Sequence, residues 1–276
     1  MNINLPKISI RDSLFSHAFS SSNWFKPTFF EWDFKNIDGN ILFLTDRNIH
    51  EHDLFPNKKK YAWLVESPAI TPDSYNYVYE NYTKYDKIFS HSKRILQLPN
   101  SYFLPIGGCF LKDDEIKDDY EKTKLISMMI SKKRFTQGQN RRHEIANKYS
   151  NQIDLMGKMF DNKKFEKIDS CKDYAFSIVV ENCKEDHYFT EKIIDCFLTS
   201  TIPIYWGDPS IKTIFNGNGF FTFDSIEELE NIISNKNKLL EFREKNKIAI
   251  QDNFKIARKY KIAEDYLYSN YNEFLK

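Results

Sequence analysis

AFSIVVENCKEDHYFTEKIIDCFLTSTIPIYWG (Ala175–Gly207) places the densest polar cluster of the chain between two oily segments. The run before it is apolar and rich in β-branched residues, as a buried strand is, and IPIYW after it reads the same way. Between them Thr190 is a good N-cap with Glu191 in the first turn. Ile193, Ile194, Phe197 and Leu198 then share one face, so the spacing predicts a sheet-packed helix over Thr190–Ser200. Strand, helix and strand make a right-handed crossover and hence a parallel sheet. The polar cluster Glu181–Lys192 therefore falls past the carboxyl end of a strand and at the start of a crossover helix, the edge where open α/β sheets bind ligands. A helix N-terminus and the charge of Lys192 suit a phosphate, whereas Glu191 would repel one and suits sugar hydroxyls. The plainer alternative is a capped helix with a solvated first turn.

The same alternation extends outward. Strands are expected at Asn40–Asp46, Lys60–Pro68, Asp86–Ser92 and Ser101–Gly108, with a helix at Ser74–Tyr85. FLKDDEIKDDYEKTK (Phe110–Lys124) is charged and poor in large apolar residues, and serves as the expected boundary between domains 1–115 and 116–276. The pattern restarts with a strand at Leu125–Ser131, a basic loop running into a helix over Lys132–Ser150, and strands at Gln152–Lys158 and Asp173–Asn182. After Phe223 it is mainly helical. Two such α/β halves are two Rossmann-like domains, expected to face each other across a cleft.

Composition narrows the function classes. Lys and Arg number 40 against 39 Asp and Glu, so no general attraction to nucleic acid follows and any anion site must be local. The four cysteines form no CxxC pair and no zinc spacing, which fits a reduced compartment and a cytoplasmic protein. No signal peptide or run long and apolar enough for a membrane span is visible. The basic and aromatic C-terminal segment IARKYKIAEDYLYSNYNEFL allows a peripheral membrane contact, with packing across the two domains the preferred expectation. A dinucleotide-dependent oxidoreductase would need a G-x-G-x-x-G turn after the first strand, and none is present.

The block Phe176–Ile211 resembles the signature of the α-1,3/α-1,4-fucosyltransferases, glycosyltransferase family ten. The resemblance is carried by Glu181 and Asn182, by Tyr188, Thr190, Glu191 and Lys192, and by Pro203, Ile204, Tyr205 and Gly207. SKKRFTQGQNRRHEIANKY resembles the family stretch in which an Arg contacts the donor diphosphate. Arg142 fits best, with Arg141 beside it as the alternative. WLVESP (Trp63–Pro68) resembles, more weakly, a segment whose carboxylate serves as general base; here that is Glu66, with His91, His17 and the acidic residues around Phe55 as other candidates.

The resemblance implies a GT-B fold and inverting transfer of L-fucose from GDP-fucose to a glycan hydroxyl, with α-1,3 transfer to GlcNAc or glucose expected. It implies an acceptor domain first and a donor domain second. Glu66 is the implied base. Arg142 and Lys192 face the diphosphate, and Asn182, Tyr188 and Glu191 hold ribose, fucose or guanine. Glu181 joins the donor set, or instead orders the loop by accepting backbone N–H groups. No convincing Asp-x-Asp lies at a strand end, so no metal is expected to be required. The chain resembles the soluble bacterial or viral type. The competing readings are an inactive or carbohydrate-binding relative and a transferase for another GDP-sugar.

Overall fold

The computed structural model describes residues 5–13, 20–157 and 165–276. Two compact units emerge. The first contains the described residues up to Gly108, together with Asp186–Tyr188 and Tyr260–Lys276; the second is Cys109–Glu185 and Phe189–Lys259.

The first unit holds β1 (Lys7–Arg11), β2 (Glu31–Asp33), β3 (Ile41–Thr45), β4 (Lys59–Trp63), α1 (Pro72–Glu80), β5 (Lys87–Ser90) and β6 (Ser101–Phe103). They form one sheet, ordered β2-β1-β3-β4-β5-β6, and every neighbouring pair is parallel. β3 is ILFLT and buried at every position, as a strand covered on both faces must be. One face packs Phe43, Trp63 and Phe89 into a core with Trp32 and Leu104; the other packs Leu42, Leu44 and Ala62 under Tyr75 and Val78 of α1.

The second unit holds β7 (Lys124–Met129), α2 (Gln137–Tyr149), β8 (Asp154–Met156), β9 (Tyr174–Val180), α3 (Glu191–Phe197), β10 (Ile202–Trp206) and β11 (Phe221–Thr222), followed by α4 (Ile226–Ile233), α5 (Lys236–Lys245) and α6 (Lys247–Ala257). Its sheet is ordered β11-β10-β9-β7-β8, again wholly parallel. β9, the strand that opens the quoted stretch, is central and fully buried.

The expected cut between 115 and 116 differs from the division of the structure. The units part after Gly108, and the last helix, α7 (Ala263–Tyr271), belongs to the first. The reason is burial: Ala263 and Leu267 enter the core around Trp63 and Phe89. Glu264 accepts hydrogen bonds from the Ser21 N–H (2.8 Å), the Ser21 hydroxyl (2.7 Å) and the Trp32 indole N–H (2.9 Å). The expected helix Ser74–Tyr85 starts earlier, at Pro72 in its first turn, and stops at Glu80. The expected strand Gln152–Lys158 is described only to Gly157; Lys158 lies outside the described residues. No helix among the described residues is long and apolar enough to cross a membrane.

Candidate active site

In the second unit the site grows from the carboxyl end of β9. Glu181 follows the strand, donates its N–H to the Trp206 carbonyl (2.9 Å) and is fully buried. A buried carboxylate needs donors, and Thr190 supplies two. Its N–H reaches Glu181 Oε1 at 2.9 Å, and its hydroxyl is shared between the two oxygens at 3.1 and 2.9 Å. Thr190 also caps α3, accepting from the Lys192 N–H. Lys192 Nζ donates to the Thr190 hydroxyl oxygen (2.8 Å) and stands 3.2 Å from Glu181 Oε2 and 3.3 Å from Glu191 Oε1. Burial works against its charge, but Glu181 and Glu191 outweigh that and hold the ammonium above its ordinary value. For Glu191 the balance mirrors this: burial raises it, Lys192 and Lys167 lower it, and the carboxyl ends below its usual range.

α2 meets this point from the other side. Thr136 and Gln139 form a reciprocal capping box, which starts the helix after the basic loop. One turn into α2, Arg142 donates from Nε to the Val180 carbonyl (2.9 Å) and from Nη2 to Asn182 Oδ1 (3.1 Å). Its neighbour Arg141 pairs with Glu144 at 3.8 Å and lies over the Trp206 ring at 5.8 Å. Gly207 is needed where it is: a Cβ there would fall 2.4 Å from the Tyr205 hydroxyl and 2.7 Å from Glu181 Cγ.

Of these residues, Arg142, Glu191 and Lys192 border a cavity of about 370 Å³. Its interior is apolar, with Met129, Ile130, Ile178 and Val180, and its charged groups are Lys133, Arg142, Lys167, Glu191 and Lys192. Four cations against one carboxylate give a basic pocket in a protein of nearly balanced charge. Lys133 and Lys167 were not singled out by sequence. Lys133 sits in the basic loop, where nothing distinguishes it from Lys132 and Arg134. Lys167 lies in a short 3-10 segment (Lys167–Ser170) with no motif around it. Beneath it Asp195 is buried, accepts from the Phe110 N–H (3.0 Å) and faces Lys167 Nζ at 3.7 Å. Burial pushes its carboxyl up to about 7 despite that lysine.

The other candidates lie in the first unit. Glu66 follows β4 and is half-buried. Its N–H donates to both oxygens of Asp46 (3.2 Å each), and its carbonyl accepts the Tyr75 hydroxyl (2.6 Å). Asp46, the last residue of the expected strand Asn40–Asp46, lies just past β3, is fully buried and has φ of +38°. His91 is fully buried; burial first, then the nearby His187, drive its pKa down to about 3, so the ring is neutral. Of the acidic residues around Phe55, Glu51 is bonded to Arg11 (2.8 Å), and Asp53 is exposed beside His52 (2.9 Å). Tyr188 is buried with its ring 5.2 Å from that of His91. His17 lies outside the described residues. The structure thus joins Arg142, Asn182, Glu181, Glu191 and Lys192 in one cluster, and places Tyr188 and Glu66 in the first unit.

The sequence pattern of the family described as glycosyltransferase family 10 (fucosyltransferase), C-terminal part, matches residues 120–273, more than half of the chain. The α-(1,3)-fucosyltransferase FucT of Helicobacter pylori is 36% identical over 86 residues, a stretch covering 29% of this chain and 18% of that protein. The chain is therefore matched to less than a fifth of that relative's length. A crystal structure of an α1,3-fucosyltransferase with GDP-fucose superposes with a TM-score of 0.53 at 18% identity, covering 88% of this chain and 82% of that one. Anabaena HepE in complex with UDP and glucose superposes with a TM-score of 0.60 at 10% identity, covering 85% and 78%. At such identities the likeness is one of fold, and that fold is GT-B, built from two parallel-sheet α/β units. With its family pattern spanning the cluster from Arg142 to Lys192, the chain belongs to glycosyltransferase family 10, the fucosyltransferases.

Proposed function

We propose that this protein transfers L-fucose from GDP-fucose to a hydroxyl of a glycan, inverting the anomeric centre. The observation that carries the reading is the basic pocket of the second unit, apolar inside and bordered by Lys133, Arg142, Lys167 and Lys192. A planar base suits the apolar part, and a diphosphate suits the cations. In this reading Arg142 and Lys192 stabilise the leaving diphosphate as its charge develops, and Glu191 accepts hydrogen bonds from donor hydroxyls. Glu181 holds Thr190 and Lys192 in place, and Asn182 aims Arg142. The charge of the leaving group is met by side chains, so no metal is called for.

The first unit takes the acceptor, with Glu66 as the base that removes the proton of the attacking hydroxyl. A single displacement then gives the inverted product. The acceptor is an oligosaccharide or glycan, with α-1,3 linkage to GlcNAc or glucose as the working assignment. A cytoplasmic location is part of the reading, supported by four free cysteines, three of them buried.

Titration calorimetry with GDP, on the wild type and on Lys192→Ala, is the test. Micromolar binding that collapses in the variant supports the donor site and calls for transfer assays with GDP-fucose and candidate glycans. No binding by the wild type, or equal binding by both proteins, sinks the reading. Binding of GDP with turnover of a different GDP-sugar would reassign the donor.

A further inference from the structure

We propose that Asp46 is a positioning residue for Glu66: it fixes the turn that carries the Glu66 side chain and acts in the transfer step without touching substrate. The inference rests on the reading of Glu66 as general base.

Three observations meet at Asp46. First, it follows β3 and opens a 3-10 segment (Asp46–Leu54) at φ of +38°, a left-handed value uncommon for a non-glycine residue. Second, its carboxylate is fully buried and aimed at the turn after β4. Oδ1 accepts the Val65 N–H at 3.0 Å, and the Glu66 N–H lies 3.2 Å from each oxygen. Third, the neighbouring backbone is tied down as well. The Asp46 carbonyl accepts the Ser74 hydroxyl (3.0 Å), and the Glu66 carbonyl accepts the Tyr75 hydroxyl (2.6 Å). The Glu66 residue is thus pinned at its N–H by the residue after β3 and at its C=O from α1.

A strand end needs none of this. Glycine or asparagine would make the same turn with less strain, and a buried carboxyl is an expensive way to satisfy two amides. Burial, and then the charge of Glu66, push the Asp46 carboxyl well above its usual range, so the fold keeps an acid here at a cost. The return is rigidity at Glu66. A base must sit within hydrogen-bond reach of the proton it takes, and small misplacements are costly in rate.

The test uses the full chain with GDP-fucose and an acceptor it turns over, and four substitutions. Asp46→Gly removes the acceptor and relaxes the turn, so it should fold. It is expected to lower kcat by about 10- to 100-fold with the donor KM and the GDP Kd unchanged. Asp46→Asn keeps one acceptor oxygen and tolerates the left-handed turn; it should restore most of kcat. Tyr75→Phe, close in shape, removes the second pin and should lower kcat alone. A folded Asp46→Gly with wild-type kcat overturns the inference, as does an equal loss in the Gly and Asn variants, or a loss matched by a rise in KM. If Asp46→Gly fails to fold, a folded Tyr75→Phe with wild-type kcat overturns it instead. Glu66→Gln separates the layers. Retained kcat there removes the base reading itself. Lost kcat there, with Asp46→Gly unaffected, overturns the present inference alone.

Discussion

Gly138 and Glu181 meet so closely that a Cβ on Gly138 would stand 1.6 Å from the Glu181 carbonyl oxygen. The Gly138 N–H also donates to the Asn182 carbonyl at 3.0 Å. The first turn of α2 is thereby docked on the end of β9, and Arg142 follows one turn later beside Val180 and Asn182. Gly138→Ala must push that turn away. Overpacking of this kind costs about 1–3 kcal/mol, and backbone cannot yield as a side chain can. The variant should melt lower and bind GDP more weakly than the wild type. Wild-type melting and affinity together would mean that this contact does not set the site.

Arg142→Lys tests the fork itself. The guanidinium uses Nε and Nη2 on two different acceptors, and one ammonium cannot reproduce that planar geometry. The expected result is a loss of about tenfold or more in GDP affinity, worth roughly 1.4 kcal/mol. The same substitution at Arg141, which does not border the pocket, should leave affinity near the wild-type value. Calorimetry on the two variants side by side decides between them.

His91 should make the first unit sensitive to acid. Its folded pKa is about 3 against an ordinary 6.5, because the ring is buried. The unfolded chain therefore binds this proton first. The stability from neutral His91 is present above about 6.5 and is lost as pH falls toward 3. Between pH 7 and pH 4 the loss should be about 3 kcal/mol. Urea midpoints at the two pH values, for the wild type and for His91→Gln, measure it. A wild-type difference no larger than that of the variant would remove the assignment.

The β9–α3–β10 stretch of the second unit was the most legible in the sequence because its strands are apolar and separated by a strong cap. β9 is seven buried residues and α3 begins at a Thr with its acidic neighbour, so period and punctuation agreed. β1, β2 and β11 were not identified. KISIR and EWD are short and half polar, and they are strands because parallel neighbours supply their hydrogen bonds, which composition does not report. The same holds for the place of α7, whose charge and aromatic content gave no sign that Ala263 and Leu267 enter the first core. In the site, Arg142 and Lys192 were legible through a resemblance to known sequences. Lys133, Lys167 and Asp46 were not, because each gains its meaning from a neighbour distant in the chain. Asp46 meets Glu66 across two strands, and Lys167 meets Asp195 across a strand and a helix.

Glu264 is the residue that fastens α7, and its loss should be felt far from any ligand. Its Oε1 takes the Ser21 N–H and the Trp32 indole N–H, Oε2 takes the Ser21 hydroxyl, and the carboxyl itself is fully buried. Burial raises the carboxyl, and these donors pull it part of the way back. Glu264→Ala would leave the buried Trp32 indole N–H without this acceptor, at about 1–3 kcal/mol. Glu264→Gln keeps one acceptor oxygen and should lose less. The Ala variant should expose the chain near Ala263 to proteolysis and shift Trp32 emission to the red. GDP affinity should stay at the wild-type value, since the basic pocket belongs to the second unit. An Ala variant as protease-resistant as the wild type would show that apolar burial of Ala263 and Leu267 alone holds the helix.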